Sequence, residues 1–127
     1  MLAQFAVTEY HEGAPGLAHG GVIAAAFDET LGAANELLRV PMVTGRLECD
    51  YVRPVPVGSV LFISAQCTAI AGRKIYTRAE GRLDRQDGLL AARAAAVFIQ
   101  VPLEHFEIHG RPEDGWLARD RGFDVNP

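Results

Sequence analysis

One acidic side chain interrupts an apolar stretch, and this combination could do chemistry at a carbonyl group. Residues 22–34 are mostly apolar, which is typical of a helix buried on every side. Asp28 lies inside this stretch, and a buried carboxylate is costly unless it is paired, protonated or used in a reaction. Gly20 and Gly21 stand where the helix should begin, and free backbone N–H groups there favour negative charge. The helix thus offers an acid and an anion-stabilising end, which a reaction at a carbonyl needs.

These two groups are too far apart on one helix to act on the same carbonyl. Gly20 and Asp28 are eight residues apart, which is about 12 Å along a helix axis. A base and an oxyanion donor must each lie within about 3 Å of the reacting atoms. Two antiparallel copies of the helix could bring Gly20 of one chain next to Asp28 of the other. If these residues are catalytic, the sequence predicts at least a dimer.

The elements around this helix are predicted from the period of the apolar residues. The helix should run from Gly20 to about Leu38, with Pro41 stopping it. From Val43 the period changes to two, which is typical of half-buried strands. The first predicted strand runs from Val43 to Pro54, and a long second strand follows Gly58. A third runs through residues 75–83, and a fourth runs from Leu89 to Val101 after an Asp87-Gly88 hairpin turn. The residues of the second strand predicted to share one face are Leu61, Ile63, Ala65, Cys67 and Ala69. One helix followed by at least four antiparallel strands favours an α+β arrangement in which a curved sheet wraps around the helix.

Composition excludes several classes of protein. With 127 residues the chain should form one domain, and a net charge of −4 argues against a nucleic-acid binder. No apolar run approaches the roughly 18 residues that span a membrane. Cys49 and Cys67 are isolated in predicted strands, so we expect small core residues in a reducing cytoplasm.

Two further patterns resemble known sites without completing them. The glycines between residues 13 and 21 suggest a phosphate-binding loop, but no Gly-Lys-Ser/Thr follows. His105 and His109 have metal-ligand spacing, but no third ligand is evident, so we predict no metal site. Residues 104–127 are polar; no element is predicted there, although Trp116 and Phe123 could anchor this segment.

The order of these features resembles the hotdog-fold acyl-CoA thioesterases, most closely the phenylacetate-pathway and thioesterase-superfamily-member-4 branch. The likeness covers roughly Glu9 to Leu103. It is carried by EGAPGLAHGG (residues 12–21), Asp28, Thr44, YVRPVPVGS (51–59), GRK (72–74) and AVFIQVP (96–102). The resemblance implies a hotdog fold, with an antiparallel sheet wrapped around one long central helix, over residues 1–103. Residues 104–127 would be a C-terminal extension.

The resemblance also implies roles for individual residues. Asp28 would be the catalytic carboxylate, acting as a general base on water or as a nucleophile. The Gly20 N–H would polarise the thioester carbonyl, the Thr44 hydroxyl would position the attacking water, and His19 would help to orient the substrate. Candidate substrate contacts are Gly21 at the helix start and the basic Arg53, Arg73 and Lys74, which could meet the phosphates of coenzyme A.

The expected function is therefore hydrolysis of an acyl-CoA thioester to a free acid and coenzyme A. The resemblance implies a homodimer or a dimer of dimers, and no cofactor beyond the coenzyme A of the substrate. One departure is Gly13, since some related branches carry an asparagine there whose carbonyl contact would be missing. Two alternatives stay open: a non-catalytic acyl-CoA-binding protein, and an acyl-thioester hydratase or dehydratase.

Overall fold

The computed structural model describes residues 1–110, which form a five-stranded antiparallel sheet and one long helix. The elements are β1 (Leu2–Ala6), α1 (Gly20–Ala34), β2 (Met42–Tyr51), β3 (Val60–Ala71), β4 (Lys74–Leu83), β5 (Leu90–Gln100) and α2 (Glu104–His109), with 3₁₀ turns at Glu9–His11 and Glu36–Leu38. The strands lie in the sheet in the order β1-β3-β4-β5-β2. The predicted α+β architecture, with four strands following the helix, is confirmed.

The core lies between α1 and the inner face of the sheet, which is the face that the helix covers. Helix α1 contacts all five strands, and its Phe27 and Leu31 are completely buried. Gly81 in β4 makes room for Phe27, since a Cβ atom at Gly81 would lie 3.0 Å from the Phe27 Cζ atom. The sheet contributes Leu61, Ile63, Ala65, Ile75, Ala79, Ala92, Ala94, Ala96 and Phe98 to this core. The alanines of β5 let the helix approach the sheet closely.

Helix α1 ends at Ala34, so the predicted end at Leu38 is wrong. Asn35 is fully buried, and its side chain exchanges two hydrogen bonds with the Thr77 hydroxyl of β4, at 2.8 and 3.1 Å. This pairing satisfies both polar side chains in the core. The chain then forms a 3₁₀ turn and leaves it through Arg39, whose φ of 52° is left-handed.

Within one chain the helix is covered on one side only, which differs from the predicted burial on every side. Ile23, Phe27, Thr30 and Leu31 are buried against the sheet. Ala25, on another side of the helix, is exposed. The reason is that a single sheet provides a single layer, so the small residues on the other side have no cover from residues 1–110.

A bulge in β3 overturns two predictions about its apolar face. Cys67 pairs with Thr77, whereas Ala69 pairs with Tyr76, so Thr68 is the extra residue. Ala69 therefore lies on the outer face, opposite to the predicted one, because a bulge reverses the alternation. Cys67, predicted to be buried, is exposed next to this bulge.

Residues 104–110, where no element was predicted, contain α2. The His105 and His109 rings lie 4.7 Å apart on it. Within residues 1–110, no three potential ligands from histidine, cysteine and acidic side chains come together as a metal site, and no helix is long and apolar enough to cross a membrane. Trp116 and Phe123 lie outside the described residues.

Candidate active site

The first turn of α1 contains one backbone amide that has no hydrogen-bond partner among residues 1–110. His19 is the N-cap residue; its Nδ1 atom accepts from the Gly21 N–H at 2.9 Å. The Val22 and Ile23 N–H groups donate to the His19 carbonyl, at 3.0 and 3.2 Å. Among hydrogen bonds between described residues, none is donated by the Gly20 N–H. Gly20 therefore offers the free donor at the positive end of the helix dipole.

The His19 ring is seated between two glycines. A Cβ atom at Gly21 would lie 3.1 Å from His19 Nδ1, and one at Gly13 would lie 2.8 Å from the His19 Cα atom. A Cβ atom at Gly13 would thus overlap the His19 backbone, and one at Gly21 would crowd the imidazole in its capping position. Gly13 therefore makes room for His19. The Gly21 N–H is already used by the cap, and its contact with substrate stays a prediction.

The carboxylate of Asp28 is half-buried on α1 and is held by a hydroxyl from the sheet. The Thr44 Oγ1 atom donates to Asp28 Oδ1 at 2.8 Å. Thr44 lies near the start of β2, where we expected a hydroxyl beside the acid. Because the Thr44 hydrogen is donated to Asp28, the hydroxyl oxygen can still accept a hydrogen bond from a water molecule.

A bulge at Gly45 turns Thr44 toward the helix. Thr44 pairs with Phe98 of β5, and Arg46 pairs with the next residue, Val97. Without the extra residue, Thr44 and Arg46 would lie on the same outer face. A Cβ atom at Gly45 would lie 2.8 Å from Ile99 Cγ1, so glycine is the residue that fits this bulge.

If Thr44 has the water-positioning role that the resemblance implies, Thr44→Val should lower the turnover number of thioester hydrolysis about tenfold or more while leaving the Michaelis constant nearly unchanged. Valine keeps the shape of threonine but has no hydroxyl to orient Asp28 or water. Steady-state kinetics with an acyl-CoA substrate provide the measurement. A Thr44→Val enzyme as fast as the parent would reduce the role of Thr44 to packing.

Cys49 and Tyr51 lie on the same strand as Thr44. The sequence did not indicate that Tyr51 contacts Gly20. The Tyr51 hydroxyl donates to the Gly20 carbonyl at 2.7 Å. The Cys49 thiol interacts with this hydroxyl; burial, followed by smaller effects of the Asp50 and Asp28 charges, raises the pKa of Cys49 above its usual value. Burial likewise raises the pKa of Tyr51. Both groups therefore stay protonated at neutral pH, and Cys49 is poorly suited to act as a nucleophile.

The raised pKa of Cys49 predicts a loss of stability at alkaline pH. A group whose pKa is higher in the folded state stabilises that state below the pKa of the unfolded chain, here 9.0, and loses this contribution as the pH rises further. As the pH rises from about 8 to 11, the unfolding temperature should therefore fall less steeply for Cys49→Ala than for the parent. Cys67→Ala, which removes the other thiol at an exposed position, is the control and should follow the parent. Equal slopes for Cys49→Ala and the parent would contradict the prediction.

The three basic residues predicted to contact substrate lie in two separate places: Arg53 is at one end of the strands, and Arg73 and Lys74 are at the other. Arg53 follows β2 near Gly20, and its side chain donates to the Leu90 carbonyl at 2.7 Å. Arg73 and Lys74 are exposed at the two-residue turn between β3 and β4. Lys74 pairs with Ile99, next to the partner of Thr44. The basic pair therefore lies toward the Asp28–Thr44 end, and within one chain it is separate from Arg53.

A cavity of about 190 Å³ opens beside the free amide. Its walls are largely apolar, and Gly20, Tyr51 and Arg53 lie at its edge. The other lining residues are Leu17, Ala18, Ile23, Val52, Pro54 and Val55. A polar donor next to an apolar recess suits a ligand that has a carbonyl group attached to an apolar chain.

Comparison with known proteins relates this geometry to a family. The family model described as "Thioesterase superfamily" matches residues 15–90. The acyl-coenzyme A thioesterase THEM4 of Xenopus laevis is 38% identical over 101 residues, which are 80% of this chain and 45% of that protein. The chain spans less than half the length of the curated relatives it matches.

Solved structures agree with the fold. A thioesterase superfamily protein from Shewanella loihica is 29% identical, with a TM-score of 0.63, over 80% of this chain and 82% of that one. An acyl-CoA hydrolase from Staphylococcus aureus, solved in complex with butyryl coenzyme A, shares the fold at a TM-score of 0.75 and 19% identity, over 80% and 65% of the two chains. The resemblance to hotdog-fold acyl-CoA thioesterases is thereby confirmed. The chain belongs to the thioesterase superfamily.

Proposed function

We propose that this chain hydrolyses acyl-CoA thioesters to a free acid and coenzyme A. The observation that carries the proposal is the pairing of Asp28 with the Thr44 hydroxyl at 2.8 Å, in a chain whose Gly20 amide has no partner among the described residues. The relatives named as acyl-coenzyme A thioesterases support this choice of substrate.

In the proposed reaction, a water molecule held by Asp28 and Thr44 attacks the thioester carbonyl carbon. Asp28 takes the proton from this water, and the Gly20 N–H donates to the developing oxyanion. The carbon–sulfur bond then breaks, and the thiolate leaves as coenzyme A and takes up a proton. If Asp28 instead attacks the carbonyl itself, an anhydride forms and is then hydrolysed. A single turnover in ¹⁸O-labelled water distinguishes the two routes if the anhydride is hydrolysed at the Asp28 carbon, because only this step labels the carboxylate.

The proposed site is shared between two copies of the chain. Gly20 and Asp28 are eight residues apart on α1, so they cannot reach one carbonyl together. The uncovered side of α1 carries small residues, among them the exposed Ala25, and can approach a second helix closely. An antiparallel pair of helices would also bring Arg53 of one chain toward Arg73 and Lys74 of the other. We propose a homodimer as the active unit, which can pair into a tetramer.

The proposed function is tested by release of free thiol from a panel of aliphatic and aromatic acyl-CoAs. We expect saturable release of coenzyme A with at least one member of the panel. Binding of acyl-CoA without thiol release would favour the non-catalytic alternative. Consumption of an enoyl-CoA or hydroxyacyl-CoA with the thioester intact would favour the hydratase or dehydratase.

The prediction of a cytoplasmic location agrees with two cysteines that are both free thiols.

We further propose that Arg73 and Lys74 meet the phosphates of coenzyme A. Both are exposed, and neither forms an ion pair with another residue in the described part of the chain. Exposed charge contacts are worth up to about 1 kcal/mol each and weaken with salt. The double variant Arg73→Ala, Lys74→Ala should raise the Michaelis constant for acyl-CoA severalfold, with little change in turnover. An acyl-pantetheine thioester, which lacks the nucleotide, should show no such effect; equal responses of both substrates would place the phosphate site elsewhere.

A further inference from the structure

The start of α1 combines a functional amide with a backbone that is intrinsically loose. Gly20 and Gly21 are the first two helical residues, and glycine is less favourable in a helix than any residue except proline. The first turn also has the fewest helical hydrogen bonds. The direction of the Gly20 N–H therefore depends on contacts from outside this dipeptide.

The hydrogen bonds to the N–H groups that follow Gly20 come from His19. His19 accepts from Gly21 through its ring and from Val22 through its carbonyl. The turn itself is placed by the buried Ile23 side chain and by the His19 N–H, which donates to the His11 carbonyl at 2.7 Å. None of these bonds reaches the Gly20 carbonyl, so a further connection to the sheet can act there.

Tyr51 supplies this connection. It lies at the end of β2, 31 residues from Gly20, and its hydroxyl donates to the Gly20 carbonyl at 2.7 Å. Its ring lies over the glycine, since a Cβ atom at Gly20 would be 3.6 Å from the Tyr51 Cζ and Oη atoms. The bond uses the carbonyl of Gly20 and leaves its N–H free. The same strand carries Thr44, which holds Asp28, so β2 contacts both functional regions of the helix.

We propose that Tyr51 is a positioning residue: its hydroxyl holds the Gly20–Gly21 peptide against β2. This contact fixes Gly20 from its carbonyl side and so limits how far the adjacent His19–Gly20 peptide, which carries the free N–H, can turn. This inference rests on the proposed thioester hydrolysis. Tyr51 itself does not touch the reacting atoms in this arrangement. Its removal should therefore affect the turnover number, which depends on oxyanion stabilisation, more than substrate binding.

The test compares Tyr51→Phe with the parent and with Tyr76→Phe. Phenylalanine keeps the half-exposed ring and removes only the hydroxyl; Tyr76 lies on the outer face of β4 and is 36% exposed, which makes it a matched control. The measurements are steady-state kinetics, amide hydrogen exchange at Gly21 and Val22 by NMR, the unfolding temperature and the oligomeric state.

For Tyr51→Phe we expect turnover to fall about five- to tenfold and first-turn exchange to rise by a similar factor, the size of one net hydrogen bond. The Michaelis constant and the oligomeric state should stay close to those of the parent, the unfolding temperature should fall by no more than about 8 °C, and Tyr76→Phe should match the parent throughout. Unchanged exchange, or faster exchange with unchanged turnover, would overturn the proposal, as would an effect confined to the Michaelis constant. If the parent releases no thiol, the proposed function fails, whereas the exchange rates still report whether Tyr51 holds the turn.

Discussion

Replacement of Asp28 by asparagine should lower turnover by at least about 10²-fold, the size expected for a lost general base. The variant Asp28→Asn keeps the side-chain oxygen that accepts from Thr44 at 2.8 Å but cannot take a proton from water. The stability of the fold should hold or rise, because a half-buried charge becomes a neutral group of similar shape.

The adjacent acid provides the control for this experiment. Glu29 is next to Asp28 and is exposed on the helix surface, since consecutive helical residues point about 100° apart. Glu29 lies four residues after Ala25, on the side of α1 proposed to face the second helix, so the oligomeric state is measured alongside the kinetics. A Glu29→Gln protein that forms the parent's dimer should retain the activity of the parent. A folded Asp28→Asn enzyme that keeps most of its turnover would remove Asp28 from the mechanism.

Replacement of Gly20 by proline should abolish the oxyanion donor without disturbing the helix. Proline has no N–H and is favoured at the first helical position, which Gly20 occupies. The preceding residue must be extended, and His19 already is, with φ −65° and ψ 134°. We expect turnover to fall by about 10² to 10³-fold, as for other lost oxyanion donors. The unfolding temperature should be unchanged or raised, because proline restricts the unfolded chain.

Gly20→Ala separates the missing donor from the added side chain. Alanine keeps the N–H, and its Cβ atom would meet the Tyr51 ring at 3.6 Å or more, which is ordinary contact. We expect Gly20→Ala to be at least about tenfold more active than Gly20→Pro, since only proline removes the donor. Equal losses in the two variants would mean that space at Gly20, and not its amide, matters for the reaction.

Local patterns were sufficient to predict the elements that depend on neighbouring residues. The helix start is marked by His19 and the two glycines, and the strands are marked by alternation that burial imposes on one face. The helix end could not be predicted, because Asn35 is held by Thr77, 42 residues away. The exposed side of α1 could not be predicted either, because the apolar pattern of the helix does not show that residues 1–110 supply only one covering layer.

Some residues of the candidate site could be identified from local sequence, whereas the contacts between them depend on the fold. Asp28 and Gly20 stand out because one is an acid in an apolar stretch and the other begins the helix. Thr44 faces Asp28 only through the bulge at Gly45, and a glycine inside a strand is a weak signal of such a bulge. The contact of Tyr51 with Gly20 depends on how β2 crosses the helix, which alternation does not specify.

The shared site is tested most directly by a mixed dimer of two inactive chains. One chain carries Asp28→Asn and the other Gly20→Pro, with different affinity tags so that the mixed species can be purified. If each site takes Gly20 from one chain and Asp28 from the other, one of the two sites in this dimer is intact. A shared site predicts about half of the parent's turnover per mixed dimer. A mixed dimer no more active than the two single-variant dimers, or an active monomer, would contradict a shared site.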